Sequence, residues 1–295
     1  MPKRTFDFVH LDVFTNRPLE GNPLAVFPDA CGLSDGEMQQ LAREMNLSET
    51  TFILPRDRQT EGGEGVRVRI FTVQEELPFA GHPTLGTAWL IKQLRPGENE
   101  VLLDLNVGKV PVRFEHRDAD IFGEMRQIDP TFADVHPREA VAGALGISVD
   151  ELDDSLPVQT VSTGLPFTMV LFRRLSTLAE LNVSWSRMSA YLSGYGQPGF
   201  FYLAARDGDA ANKLRARMIF YNGEDPATGS AAGCCAAWAV KYGLFPSDQE
   251  CVIEQGREVR RPSYLFVRGT RDHDRVVNVR VGGNVVRVID GRVTL

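Results

Sequence analysis

The sequence predicts an α+β protein built from two similar halves, and three observations carry that expectation. Short stretches that alternate apolar and polar residues, such as Phe6-Asp7-Phe8-Val9-His10-Leu11-Asp12-Val13-Phe14 and Val66-Arg67-Val68-Arg69-Ile70-Phe71, have the period of half-buried strands. Two runs, Pro83 to Leu94 and Ser230 to Tyr242, are mostly small or apolar and read as helices sunk in a core. A shift of 148 positions, the step from Arg67 to Arg215, also carries Arg69 onto Arg217, Pro78 onto Pro226, Gly81 onto Gly229 and Ala88 onto Ala236 without a gap. That shift is close to half of the 295 residues, as duplication of one unit gives.

Taken in order, Phe6 to Phe14 and Leu24-Ala25-Val26-Phe27 form a hairpin around a long turn-rich link. Ser34 and Glu37 have capping-box spacing, and Met38, Leu41, Ala42 and Met45 supply a helical stripe that ends near Asn46. A polar cluster, Asn46-Leu47-Ser48-Glu49, then runs into the strand Thr50 to Leu54. Gln59 to Gly65 is polar and glycine-rich and is expected to be an exposed hairpin loop. The strand Val66 to Phe71 leads to Glu75-Glu76-Leu77-Pro78-Phe79-Ala80-Gly81-His82 and the first apolar helix. Strands follow at Val101 to Leu105 and Lys109 to Phe114, turned by Asn106 and Gly108, and Asp118 to Asp134 is a strand and crossover.

In the second half, short helices are expected over Pro137 to Leu145, with Gly146 as C-cap, and over Ser148 to Leu152. A hairpin joins Val158 to Val161 and Thr168 to Phe172 around Thr163-Gly164-Leu165-Pro166. Leu178 to Leu192 has helical periodicity, and Phe200 to Leu203 and Leu214 to Phe220 are strands. After the second apolar helix come strands at Leu265 to Arg268, Val276 to Val281 and Val285 to Ile289, with turns at Gly282-Gly283 and Asp290-Gly291.

Composition bounds the function. With 43% hydrophobic and 24% charged residues the chain is globular, and its net charge of −7 argues against a nucleic-acid or anionic-membrane partner. The start, Met1-Pro2-Lys3-Arg4-Thr5-Phe6, lacks a leader pattern and no window approaches the roughly 18 apolar residues of a membrane span, so a cytoplasmic protein is expected. Cys31, Cys234, Cys235 and Cys251 show no CxxC spacing, and the five histidines are scattered, so neither a disulfide framework nor a metal site is expected.

The chemistry concentrates in Gly223-Glu224-Asp225-Pro226-Ala227-Thr228-Gly229-Ser230-Ala231-Ala232-Gly233. Asp225 precedes proline and is therefore extended. The first N–H groups of the helix that follows have no intrahelical partner, and its dipole favours an anion at Gly229 and Ser230. An ordinary capped helix is the plainer alternative for this stretch taken alone. Its repeat weighs against that alternative, because the shift makes His82 the equivalent of Ser230. Two similar domains related by a pseudo-twofold axis would turn both helix starts toward a shared cleft, with Glu49, His82 and Asp225 near enough to move protons.

Four segments in order, Pro18 to Phe27, Glu44 to Phe52, Glu76 to Pro83 and Asp225 to Gly233, with the weaker Gln255-Gly256 and Arg261-Pro262-Ser263, resemble the phenazine-biosynthesis isomerase (PhzF-like) family, a branch of the diaminopimelate-epimerase fold. The resemblance implies two domains, each a curved or barrel-like, mostly antiparallel sheet around a central helix, with the active site in the cleft between them. The domains are expected over residues 1–116, joined by a returning strand at about 283–295, and over residues 117–282. It implies that Glu49 shuttles a proton between two carbons, and that His82, Asp225 and Ser230 line the pocket. The catalytic set so read is Glu49, Asp225 and His82, and the substrate-binding set is Ser48, Gly81, Thr228, Gly229 and Ser230. No metal, nucleotide or other cofactor is implied; the expected partner is a small carboxylated substrate, and the assembly a homodimer.

Moving a hydrogen along a conjugated acid needs one base that takes a proton from carbon and returns it as an acid, which a carboxylate in a dry pocket provides. His82 and Ser230 stand where two-cysteine racemases of this fold have thiols, so that chemistry is disfavoured. Cys234-Cys235 stands where many relatives have Gly-Pro, and Cys234 reads as a buried small residue. Asp225-Pro226 departs from the phenazine enzyme itself, so a paralogue acting on another small acid is expected. Two alternatives stay open: an epimerase with Glu49 and Asp225 as opposed bases, and a binding protein without chemistry.

Overall fold

The computed structural model describes residues 3–118, 120–182, 184–195, 200–208, 212–220 and 223–295. Met1 and Pro2, Ala119 in the expected crossover and Val183 in the expected helix over 178–192 lie outside them. The chain forms two compact units, Met1–Arg126 with Gly282–Leu295, and Gln127–Val281.

The first unit contains β1 (Thr5–Val13), β2 (Asn22–Phe27), α1 (Asp35–Met45), β3 (Glu49–Leu54), α2 (Arg58–Glu64), β4 (Val66–Phe71), β5 (Glu76–Leu77), α3 (Gly81–Leu94), β6 (Glu100–Leu105), β7 (Gly108–Arg117) and β8 (Asp120–Arg126). Antiparallel β1 and β2 form the expected hairpin, with Val9 opposite Val26. β2 and β3 are parallel, β3 and β4 antiparallel, and β4 lies antiparallel to β5 and parallel to β6. β6, β7 and β8 complete a meander. The expected boundary at residue 116 falls inside β7, and the unit runs on to Arg126 because β8 pairs with β7, Val112 opposite Met125. The apolar helix α3 packs against β1, β2, β3, β6 and β8, so the sheet curves around it. Every residue from Gly81 to Ala88 is buried, as its near-absence of a polar face requires.

The second unit repeats the pattern with β9 (Thr131–Val135), α4 (Arg138–Leu145), a 3₁₀ turn at Val149–Glu151, β10 (Gln159–Ser162), β11 (Pro166–Phe172), α5 (Leu175–Glu180), α6 (Trp185–Ser193), β12 (Phe200–Arg206), β13 (Lys213–Phe220), β14 (Gly223–Asp225), α7 (Gly229–Lys241), β15 (Cys251–Gln255), β16 (Ser263–Asp272) and the first part of β17 (Arg275–Thr294). β10 and β11 are antiparallel, β11 and β12 parallel, β12 and β13 antiparallel, and β13 lies antiparallel to β14 and parallel to β15. The order of pairing directions matches the first unit strand for strand. α7 packs against β10, β11 and β16, and Trp238 in its last turn is 1% exposed.

The repeat extends to single atoms. Ile70 opposes Leu77 and Phe71 opposes Glu76, and 148 positions later Met218 opposes Asp225 and Ile219 opposes Glu224. Arg69 grips Glu76 through Nε to Oε1 (2.8 Å) and Nη2 to Oε2 (2.6 Å). Arg217 grips Glu224 through the same two atom pairs, at 3.0 and 2.7 Å. Both central helices begin at the equivalent glycine, Gly81 and Gly229.

Three local expectations are corrected. The stretch over 59–65 is the helix α2 and not a hairpin loop: the Asp57 side chain caps it by accepting from the N–H groups of Gln59 (3.1 Å) and Thr60 (3.0 Å), and buried Glu61 ties it to Arg95 at 2.6 Å. The periodic run over 178–192 breaks into α5 and α6. Arg217 Nη1 donates to the carbonyls of Leu178 (2.9 Å) and Leu181 (2.8 Å), which ends the first helix. The tail is one strand, β17, without turns at Gly282-Gly283 or Asp290-Gly291. These glycines serve close packing: a Cβ on Gly282 would lie 2.7 Å from the Gly123 carbonyl oxygen, one on Gly283 2.5 Å from the Phe14 ring, and one on Gly291 2.3 Å from the Phe8 ring. β15 had no sequence expectation at all.

Candidate active site

In the first unit, α1 closes with Asn46 in the left-handed conformation (φ 52°, ψ 37°), and the chain straightens at once into β3. Ser48 and Glu49 therefore stand at a junction fixed on both sides. Glu49 pairs with Leu24 across the parallel β2, and Asn22 begins that strand. From the start of α3, His82 brings Nδ1 to 3.6 Å from Glu49 Oε2 and 3.3 Å from Asn22 Nδ2. His82 is 4% exposed. Burial pulls its pKa down to about 3, against a smaller opposing effect of hydrogen bonding to the Pro23 carbonyl. The ring is therefore neutral near pH 7, and its approach to Glu49 is a polar contact and not an ion pair.

In the second unit, Asp225 ends β14 and is 8% exposed, as is Thr228. The Thr228 hydroxyl donates to Asp225 Oδ2 at 2.5 Å. Behind them lies Gln255, the last residue of β15 and 1% exposed. Its Nε2 donates to the Asp225 carbonyl (2.8 Å) and Thr228 Oγ1 (3.0 Å), and its Oε1 accepts from Thr228 N–H (3.3 Å) and the Tyr202 hydroxyl (3.0 Å). Gln127 holds the first turn of α7 from the other side: Nε2 donates to the Gly229 carbonyl at 2.9 Å while Oε1 accepts from the Thr163 hydroxyl at 2.6 Å. Cys234 hydrogen-bonds Thr163 at 3.4 Å, and burial pushes its thiol up to about 11, so it is the packed small residue its sequence context implied.

α3 and α7 share a property that sets them apart. No side chain caps either helix, and their first turns are buried except for half-buried Ser230. α1 and α2 are capped by Ser34 and Asp57, whereas the uncapped α4, α5 and α6 open their first turns to solvent. Buried, uncapped N–H groups at the positive end of a helix are suited to an anion.

The structure thus gathers Ser48, Glu49, Gly81 and His82 in the first unit and Asp225, Thr228, Gly229 and Ser230 in the second. Sequence reasoning did not assign roles to Asn22, Gln127, Thr163, Tyr202 or Gln255. Asn22 and Gln255 lay inside recognised segments, a usable signal; the other three carried none. Among the described residues no three His, Cys, Asp or Glu side chains cluster so as to hold a metal ion, and no helix is long and apolar enough to cross a membrane.

The profile of the phenazine biosynthesis-like protein family matches residues 11–291. The chain is 34% identical over 293 residues to the trans-2,3-dihydro-3-hydroxyanthranilate isomerase of Pseudomonas aeruginosa, covering 98% of this chain and 99% of that one. Among solved structures, a PhzF-family phenazine biosynthesis protein of Bacillus anthracis has a TM-score of 0.88 at 27% identity, covering 98% and 99% of the two chains. A protein of Pseudomonas aeruginosa described as a predicted epimerase has a TM-score of 0.83 at 37% identity, with the same coverage.

Proposed function

Since the chain belongs to the phenazine biosynthesis-like protein family and is accordingly an isomerase, we propose that it moves a hydrogen between two carbons of a small carboxylic acid by acid/base catalysis, without a cofactor. Glu49 takes the proton from one carbon and returns it to another. The observation that carries this reading is the Glu49 carboxylate at a fixed helix–strand junction, 3.6 Å from a buried, uncharged imidazole at the start of an uncapped helix. A neutral neighbour offers polarity without the labile proton of an imidazolium, which leaves one carboxylate to work in both directions. In the first unit His82 orients the reacting system, with Ser48 and the Gly81 N–H as substrate-binding groups; in the second, Asp225 and Thr228 hold polar groups and the N–H groups of Gly229 and Ser230 suit an acid group.

Of the two carboxylates, only Glu49 is read as the proton carrier. Asp225 Oδ2 is committed to the Thr228 hydroxyl at 2.5 Å, an arrangement suited to holding and not to abstracting. This favours a hydrogen shift over racemisation by opposed bases. The same reading takes the enzyme to be a cytoplasmic homodimer, and light scattering that returned a single 32.7 kDa chain would remove the dimer from it.

The decisive experiment incubates the protein with trans-2,3-dihydro-3-hydroxyanthranilate, the substrate named for the 34% identical relative, in deuterium oxide. Carbon-bound deuterium at one product position, absent with Glu49→Gln, is the expected result. Unchanged exchange in that variant would discard Glu49 as the base, and turnover of another small acid only would keep the reaction class while changing the substrate.

A further inference from the structure

We propose that Gln255 is a positioning residue that aims the Asp225 carboxylate through Thr228. The inference rests on the reading of Asp225 as part of the site, and it deepens that reading. The polarity of the network has only one solution. The Asp225 carbonyl can only accept and the Thr228 N–H can only donate, so the Gln255 amide nitrogen must face the first (2.8 Å) and its oxygen the second (3.3 Å). The same nitrogen donates to Thr228 Oγ1 at 3.0 Å, which obliges the hydroxyl to spend its own proton on Asp225 Oδ2, 2.5 Å away. Tyr202, fully buried and with its phenol pKa driven well up by burial, stays protonated and donates to Gln255 Oε1 at 3.0 Å, completing the four bonds of the amide.

The duplication separates this role from a structural one. Asp225 stands 148 positions beyond Leu77 in the same strand register, and Thr228, at the N-cap of α7, stands 148 beyond Ala80, at the N-cap of α3. Gln255 follows Glu254, which opposes Arg215, as Leu105 follows Asp104, which opposes Arg67. At the equivalent positions the first unit has two leucines and an alanine where the second unit places three polar side chains. The shared architecture therefore does not need them, and burying polar groups is costly unless each is hydrogen-bonded. Gly256, at φ +84°, adds to the picture: a Cβ there would lie 2.5 Å from the Pro226 carbonyl oxygen, so the glycine lets β15 close directly beneath the Asp225-Pro226 turn.

The test follows the Asp225 carboxyl by ¹³C NMR titration without ligand, with Asp225→Asn as the assignment control, alongside kcat/KM for trans-2,3-dihydro-3-hydroxyanthranilate. With Gln255→Met the carboxyl is expected to titrate about one pH unit higher, as the aligned donor is lost, and kcat/KM to fall about tenfold. Added to Thr228→Val, the same change is expected to alter either quantity less than about twofold, because Gln255 acts through that hydroxyl. Gln255→Leu also removes the donor without adding a charge, so it should reproduce the raised titration and serves if Gln255→Met does not fold. An Asp225 titration identical to wild type in the Gln255 variants, or effects that add in the double variant, overturns the proposal. Failure to turn over this substrate bears on the proposed function alone, since the titration is read without it.

Discussion

Glu49 Oε2 lies 3.6 Å from Nδ1 of a histidine, His82, that burial holds uncharged. Removal of the carboxylate should therefore remove the proton carrier without collapsing a salt bridge. Glu49→Gln is expected to lower kcat by about 10² to 10⁴ while KM changes little, the range for loss of a general acid/base. Steady-state kinetics on whichever small acid is turned over checks this, and a change confined to KM would make Glu49 a binding residue.

The same burial makes stability depend on pH. In the unfolded chain His82 titrates near 6.5 and in the folded protein near 3, so between these values the unfolded state binds the extra proton. Stability contributed by the neutral ring is present above pH 6.5 and declines as pH falls toward 3, by at most about 1.4 kcal/mol per pH unit. His136, also lowered by burial, acts in the same direction. Between pH 6.5 and 4.5, above the range where carboxylates such as Glu37 dominate, urea denaturation of His82→Asn should show a shallower slope than wild type. Equal slopes would place the His82 ring in water.

Two glycine-to-alanine changes should have opposite signs. On Gly233 a Cβ would come 1.8 Å from Gln127 Oε1, so Gly233→Ala must push the Gln127 amide off Thr163 and the Gly229 carbonyl, at a cost of about 1–3 kcal/mol. On Gly62, inside α2, a Cβ meets nothing within 4 Å, and Gly62→Ala should stabilise by about 0.4–1 kcal/mol. Chemical denaturation midpoints decide both, and a stabilised Gly233→Ala would mean that Gln127 has room to move aside.

Thiol chemistry offers a further check. Cys31 is exposed, whereas Cys234, Cys235 and Cys251 are at most 1% exposed and burial raises all three thiols, Cys234 and Cys251 to about 11. Native protein at pH 8 should take up one equivalent of iodoacetamide, at Cys31, by mass spectrometry. Labelling at Cys234 would contradict its place as a packed residue.

The framework was legible wherever a local pattern decides the outcome. The Ser34–Glu37 capping box, the strand alternation at 66–71 and the equivalent helix starts at Gly81 and Gly229 need only neighbours in sequence. What was not legible depends on distant partners. Arg217 interrupts the helical periodicity at Leu178 and Leu181 from more than thirty residues away, and the Phe8 and Phe14 rings dictate glycines near position 290. The site divides in the same way. Glu49, His82 and Asp225 announced themselves through motifs, but Gln127 bonds a carbonyl 102 positions later and Gln255 one 30 positions earlier, and an isolated glutamine has no spacing that marks it.

The twenty-residue strand β17 crosses from one compact unit into the other, with Thr294 opposite Thr5 and Val285 opposite Val13. On the ribosome the amino-terminal half therefore emerges first and waits longest. Its strand β1 keeps an unmatched backbone edge until residues 285–294 have been translated, by which point the second unit has all of its own residues. The later half can reach its final form ahead of the earlier one, and a nascent chain halted before residue 282 would carry an edge open to pairing with other chains.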